Sequence, residues 1–163
     1  MKKNNLKIEF DLLILDIDGV MTDGTKLYDT KGKVFAKRYN DRDFTAIKRF
    51  KKIGINVCFL SGDKGINKIV AKDRNIDFYY GRNSKGEMDK VSKFYKIKEI
   101  YKAKKIAYVG DDYYDLEVLN LADVRICPSD AIEDIKNCSN IKLLSKGGEG
   151  AVAELFKLYM HSK

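Results

Sequence analysis

Residues Phe10 to Gly19 read Phe-Asp-Leu-Leu-Ile-Leu-Asp-Ile-Asp-Gly. The apolar run Phe10–Leu15 has the pattern of a strand buried on both faces, and it stops at two carboxylates and a glycine. Further strand-like runs follow, each trailed by a helical pattern: Ile55–Leu60 by Lys64–Arg74, Ile76–Tyr80 by Gly86–Lys96, Lys105–Val109 by Asp112–Leu121, and Val124–Ile126 by Asp130–Lys136. Ile141–Leu144 and a last helix over Glu149–Met160 close the chain. Strands alternating with helices of this length predict βαβ units, hence a doubly wound α/β fold with a mostly parallel, Rossmann-like sheet. One element breaks the alternation. Lys26–Tyr28 and Val34–Tyr39 flank Asp29-Thr30-Lys31-Gly32, which predicts a β-hairpin over about 25–39 after the first strand. Asp43 is then expected to cap a helix carrying Phe44, Ile47 and Phe50, with Gly54 ending it.

The 163 residues are 44% hydrophobic, 34% charged and 11% aromatic, which suits one globular domain over 1–163 rather than a disordered or fibrous chain. No apolar run reaches the roughly 20 residues of a membrane span, and the basic start, Lys2 and Lys3, is not followed by a cleavable leader pattern. The net charge of +8 would suit nucleic acid, but Lys and Arg are spread along the chain with no recognition motif, so no nucleic-acid partner is expected. Cys58, Cys127 and Cys138 lack Cys-x-x-Cys spacing and His161 is the only histidine, which argues against zinc and for a reducing, cytoplasmic setting.

In doubly wound sheets ligands bind beyond the carboxyl ends of the strands. Asp16-Ile17-Asp18-Gly19 follows the first strand, Ser61-Gly62-Asp63 the second, Gly81-Arg82-Asn83-Ser84-Lys85 the third, and Gly110-Asp111-Asp112 with Asp115 the fourth. Taken singly these are ordinary: Asp-x-Asp-Gly is also a strand-ending turn, Gly-Asp-Asp also a turn with a helix cap, and a lysine in a lysine-rich chain is usually solvated. Their conjunction at four strand ends is not ordinary. Crowded carboxylates repel and would hold protons unless a cation joined them, and oxygen-only ligands select Mg²⁺. Ser61 and Lys85 add donors for a phosphoryl oxygen, so the site reads as phosphoryl transfer with an aspartate available as nucleophile.

Asp16-Ile-Asp18-Gly19-Val-Met-Thr-Asp-Gly24, Ser61-Gly62, Lys85 and Gly110-Asp111-Asp112-x-x-Asp115 resemble the four motifs of the haloacid dehalogenase superfamily of phosphatases. With the hairpin and Lys146-Gly147-Gly148-Glu149-Gly150, the chain from about 10 to 158 looks like the capless branch that acts on 3-deoxy-D-manno-octulosonate (KDO) 8-phosphate or nonulosonate 9-phosphates. The resemblance implies Asp16 as nucleophile and Asp18 as acid and then base. It implies Mg²⁺ on Asp16, the Asp18 carbonyl and Asp111, with Asp112 and Asp115 supporting the metal and its loop. Ser61, Gly62 and Lys85 would bind phosphate. Lys85 has the family's offset from Gly81 but lies far ahead of Gly110, and Lys90 is the alternative. The resemblance further implies a homotetramer built on the hairpin, with the C-terminal segment about 146–163 reaching a neighbouring subunit's site.

Three departures bear on substrate. Asp63-Lys64 and Glu149 stand where KDO 8-phosphate phosphatases usually carry arginine, and they resemble the nonulosonate side; Phe44 replaces a usual glycine. Loss of a bidentate carboxylate binder matters for a sugar acid, and Arg42, Arg74 and Arg82 are the arginines left for that role. Two other readings compete. A non-catalytic module of the kind fused to acylneuraminate cytidylyltransferases would have lost its nucleophile, whereas Asp16, Asp18 and Asp111 are present. A signalling receiver would carry its aspartate after the third strand, where this chain has glycine, arginine and lysine. The Gly-rich loop of a P-loop kinase is missing.

Overall fold

A computed structural model describes residues 7–163; Lys2 and Lys3, and with them the expectation about a leader, lie outside the described residues. Six parallel strands form the sheet: β1 (Leu12–Leu15), β4 (Asn56–Ser61), β5 (Asp77–Tyr80), β6 (Ile106–Val109), β7 (Val124–Cys127) and β8 (Ile141–Lys142), in the order β5-β4-β1-β6-β7-β8. The hairpin strands β2 (Leu27–Tyr28) and β3 (Val34–Ala36) pair only with each other, antiparallel, as expected, with Gly32 at φ +73° in their turn.

Alternation along the strands sorts the core into two layers. Leu13, Leu15, Val57, Phe59, Ala107 and Val109 face α1 (Asp41–Lys52), α2 (Gly65–Asp73) and α6 (Ala151–His161) through Phe44, Phe50, Ala71, Leu155 and Tyr159. Leu12, Ile14, Cys58, Leu60, Ile106 and Tyr108 face α3 (Lys90–Tyr101), α4 (Leu116–Leu121) and α5 (Glu133–Cys138) through Phe94, Ile97, Val118, Leu119 and Ile135. Both faces of β1 are therefore buried, which is why it reads as unbroken apolar sequence. The chain winds outward from β1 through β4 and β5, then crosses to β6 and winds the other way. The crevice between the ends of β1 and β6 is thus the topological switch point.

Several details differ from the sequence expectation, and four have a clear local reason. Asn40, not Asp43, caps α1: its side chain accepts the Arg42 N–H, while Asp43 is buried in the first turn and accepts the Ala153 N–H at the start of α6. In α2 the inward positions are Asn67 and Ala71, and Ile69 is 70% exposed. The helix after β5 begins at Lys90 rather than near Gly86. Arg82 bridges Met88, the Asn83 side chain accepts the Lys85 and Glu87 N–H groups, and Gly86 sits at φ +82°, so 82–88 is a closed turn. A single 3₁₀ turn, Tyr113–Asp115, precedes α4; Asp112 caps it, and Asp115 completes a reciprocal capping box.

Candidate active site

The parallel register sets Leu15 beside Phe59 and Val109, so residues just past β1, β4 and β6 emerge at one level. They enclose a cleft of about 290 Å³ whose walls include Asp16, Asp18, Ser61, Asp63, Arg82, Lys90 and Asp111. Asp16 is tied to β6 by its N–H, which donates to the Val109 carbonyl at 3.0 Å. Gly19 follows at φ +85°, and a Cβ there would lie 1.9 Å from Asp111 Oδ2. The motif needs glycine at this point because the Asp111 carboxylate occupies the space.

Asp16, Asp111 and Asp115 bring carboxylate oxygens within 4.8 Å of one another. One ammonium serves this group: Lys90 Nζ is 2.6 Å from Asp115 Oδ1 and 3.0 Å from Asp16 Oδ2. Asp115 also accepts from the Tyr108 hydroxyl and from the Asp111 and Asp112 N–H groups. Burial alone would raise it, but the charge and hydrogen bond of Lys90 and these donors hold its carboxyl below the usual carboxylate range. Asp16 is left with the weaker share. Burial and the Asp115 charge push it up to about 8 against the pull of Lys90. Asp111 rises to about 9, through burial first and then the charges of Asp16 and Asp115. Its Oδ1 is buried and has no hydrogen-bond partner among the described residues. Two carboxyls starved of positive charge, one with an orphaned oxygen, fit a hard divalent cation: oxygen donors alone suit Mg²⁺.

A second network surrounds Asp18. Asp18 Oδ1 lies 2.6 Å from Lys37 Nζ, and its Oδ2 accepts from Asn67 Nδ2 at 3.0 Å. Lys37 also reaches Asp63 Oδ2 and Asn67 Oδ1, both at 2.9 Å. Ser61 Oγ accepts from Asn67 Nδ2 and from the Asp63 N–H. Burial would raise Asp63, but Lys37 and Lys26 bring it below the usual range. The buried Ser61, the last residue of β4, and Gly62 line the same cleft as Lys90.

Asp16, Asp18, Ser61, Gly62, Asp63, Asp111, Asp112 and Asp115 all line the cleft, as the strand-end argument expects. Lys85 does not: it is exposed at the tip of the 82–88 turn, and Lys90, at the first position of α3, takes the place expected of it. Lys64 sets its ammonium over the Tyr80 ring at 4.9 Å instead of facing the cleft. Glu149 is exposed, 3.9 Å from Arg38, while Gly147 and Gly148 pack on the backbone of Gly19, Thr22 and Asp23 of the same chain. Of the three arginines, Arg42 borders a groove against α6 and Arg74 stacks on Phe44. Arg82 alone reaches the cleft, with Nε and Nη1 held by the Gly62 and Gly86 carbonyls at 2.8 Å. Lys26, Lys37 and Asn67 were not legible as site residues. The one available signal was Asn67, a polar residue four positions before Ala71 on the inward stripe of α2.

No family model matches the chain. The 3-deoxy-D-manno-octulosonate 8-phosphate phosphatase of Escherichia coli (strain K12) is 30% identical over 151 residues, covering 91% of this chain and 78% of the relative. That of Haemophilus influenzae is 29% identical over 165 residues, covering 99% and 87%. A cobalt-bound structure of the Haemophilus influenzae phosphatase matches with a TM-score of 0.84 over 93% of this chain and 88% of that one, at 29% identity. The phosphatase of Moraxella catarrhalis in complex with magnesium ion, phosphate ion and KDO shares the fold, with a TM-score of 0.83 at 24% identity over 94% and 87% of the two chains.

Proposed function

The chain belongs to the 3-deoxy-D-manno-octulosonate 8-phosphate phosphatases of the haloacid dehalogenase superfamily, and from that premise we propose that it hydrolyses KDO 8-phosphate to KDO and phosphate with Mg²⁺ as cofactor. The observation that carries the proposal is the convergence of Asp16, Asp111 and Lys90 at the switch point of the sheet. Asp16 and Asp111, with the Asp18 carbonyl, would hold the cation, and Asp112 and Asp115 support that loop. When bound, Mg²⁺ neutralises the carboxylates and the phosphoryl oxygens.

A carboxylate oxygen of Asp16 attacks phosphorus, the bond to the sugar oxygen breaks, and Asp18 delivers its proton to that leaving oxygen. Water then attacks the aspartyl-phosphate, Asp18 takes its proton, phosphate departs and Asp16 is restored. Lys90, Ser61 and Gly62 bind the phosphoryl oxygens, whose charge grows as the bond breaks. Lys90 does two jobs: it also lies beside Asp16, favouring the ionised form a nucleophile needs.

A nonulosonate 9-phosphate is the second reading, and one observation favours it: Asp63 lines the cleft, held by Lys26 and Lys37. Lys64 and Glu149 face elsewhere and carry no weight in that choice. The whole chain, 1–163, acts as one catalytic domain, and its unbridged cysteines suit the cytoplasm. No described helix is long and apolar enough to cross a membrane. The hairpin leaves Leu27, Tyr28 and Phe35 57–62% exposed on a ribbon of two short strands, an arrangement that supports a homotetramer built on this element.

Phosphate release from KDO 8-phosphate and a nonulosonate 9-phosphate, measured side by side with Mg²⁺ and with excess chelator, tests the proposal. Release from KDO 8-phosphate that stops in chelator is expected. A preference for the nine-carbon ester would move the substrate to the second reading, and inertness toward both would overturn the assignment.

A further inference from the structure

Asp18 is held more completely than a carboxyl at the rim of a cleft needs to be. Each of its oxygens has its own donor, Lys37 Nζ at 2.6 Å and Asn67 Nδ2 at 3.0 Å. The two donors come from elements outside the βα units that carry Asp16 and Asp111. Lys37 follows β3 of the hairpin, and Asn67 lies on the inward stripe of α2. Lys37 has a side chain only 1% exposed, and its ammonium has three partners for its three protons: Asp18, Asp63 and Asn67 Oδ1. Asn67 is fully buried. Its Oδ1 accepts from Lys37 and from the Tyr39 hydroxyl at 2.8 Å, which fixes Nδ2 on the side of Asp18 and Ser61. A flipped amide would set its NH₂ against the ammonium, so the orientation follows from the charge.

Such a network is costly to assemble, because a buried ammonium and a buried amide are desolvated together. Neither group lies in the Asp16–Asp111–Asp115 cluster, and neither fills the apolar core. Both touch Asp63 as well, Lys37 at Oδ2 and Asn67 at the carbonyl oxygen, but only at Asp18 do the two donors between them take both oxygens of one carboxyl. We propose that Lys37 and Asn67 are positioning residues that fix the Asp18 carboxyl for proton transfer to the leaving sugar oxygen, with Tyr39 locking the Asn67 amide; this rests on Asp18 being the acid and base of the reaction. As the ester bond breaks, the proton passes from Asp18 to the departing oxygen, and Lys37 and Asn67 bind the carboxylate left behind. The same contacts keep that carboxylate in place to accept a proton from water in the second step. The hairpin is thereby part of the catalytic apparatus through Lys37, and not only a surface for other subunits.

The test separates proton delivery from everything else by the leaving group. A sugar alkoxide needs a proton as it departs, whereas p-nitrophenolate leaves without one. Values of kcat/KM report only steps up to departure of the alcohol, so the shared hydrolysis of the aspartyl-phosphate drops out of the comparison. For Lys37→Met and Asn67→Leu, kcat/KM should fall about tenfold to a hundredfold further on KDO 8-phosphate than on p-nitrophenyl phosphate, and Asp18→Asn should show the same imbalance more strongly. Tyr39→Phe should show a smaller loss in the same direction, and Lys37→Arg should restore part of it. Equal losses on both esters, or none, would overturn the positioning role. If Lys37→Met proves unfolded by circular dichroism, Asn67→Leu and Tyr39→Phe carry the same comparison. Should Asp18→Asn hydrolyse both esters like the wild type, the acid–base reading fails instead. Inertness of the wild type toward KDO 8-phosphate points to the substrate reading, and the series then runs on the nonulosonate ester.

Discussion

Lys90 Nζ sits 3.0 Å from Oδ2 of Asp16, although 74 positions separate the two in the chain and the closed turn 82–88 lies between Lys90 and its strand. In the proposed mechanism this contact makes the first residue of α3 the phosphate-facing lysine. Lys90→Met should lower kcat/KM by about a hundredfold or more, since it removes a buried cation from both nucleophile and phosphoryl group. Lys85→Met, on the exposed turn, should stay within about threefold of wild type. Steady-state phosphate release from the two variants decides the matter, and a reversed order would return the role to Lys85.

Metal and pH should be linked with a definite sign. Without a cation, burial pushes Asp16 up to about 8 and Asp111 up to about 9, whereas an unfolded aspartate has a pKa of about 3.9. The folded state therefore keeps protons that the unfolded chain has released. The contribution to stability is fully present below about pH 4 and is lost as pH rises through 8 and 9. Tm in chelator should fall between about pH 6 and about pH 9, and saturating Mg²⁺ should flatten that fall by binding the ionised carboxylates. A Tm profile unchanged by Mg²⁺ would contradict the metal assignment.

Gly147 packs against the loop that follows Asp18. A Cβ there would lie 1.9 Å from the Gly19 carbonyl oxygen and 2.9 Å from that of Thr22, so the loop after Asp18 and the Gly147–Gly150 loop cannot both keep their places. Gly147→Ala should lower Tm and activity together. Gly32→Ala, at positive φ but in open space, should cost only about 1 kcal/mol and leave activity intact. Melting curves and phosphate release on the pair make the comparison, and a Gly147→Ala variant that behaves like Gly32→Ala would refute the packing argument.

Phe35→Glu places a charge on the exposed face of β3 without touching the core. In sedimentation velocity it should turn a tetramer into smaller species. A wild-type protein that sediments as a monomer would contradict the tetramer built on the hairpin.

The order of elements was legible because parallel strands buried on both faces leave unbroken apolar runs such as Leu12–Leu15, and Asp16 and Asp111 were legible because ligand sites follow strand ends. Lys90 was ambiguous for a local reason: Asn83 and Gly86 fold the preceding residues into a turn, which breaks the spacing from Gly81 by which the lysine is sought. Lys37 and Asn67 carried almost no signal. A lysine in a hairpin strand and an asparagine in a helix acquire meaning only when the hairpin and α2 meet over Asp18, a contact set by tertiary packing. Asp43 misled in the other direction. Its residue type suits a cap, and it does accept helix-terminal N–H groups, but those of α6 rather than of its own helix.

In the proposed mechanism phosphorus passes through the Asp16 carboxylate. Mixing the Mg²⁺-loaded protein with KDO 8-phosphate, quenching in acid within a single turnover and mapping the peptides by mass spectrometry reads this directly. The peptide containing Asp16 should carry the phosphoryl group, and Asp16→Asn should neither acquire it nor release phosphate. Steady phosphate release with no phosphoryl group on Asp16 at any quench time, or turnover by Asp16→Asn within about tenfold of wild type, would contradict the account.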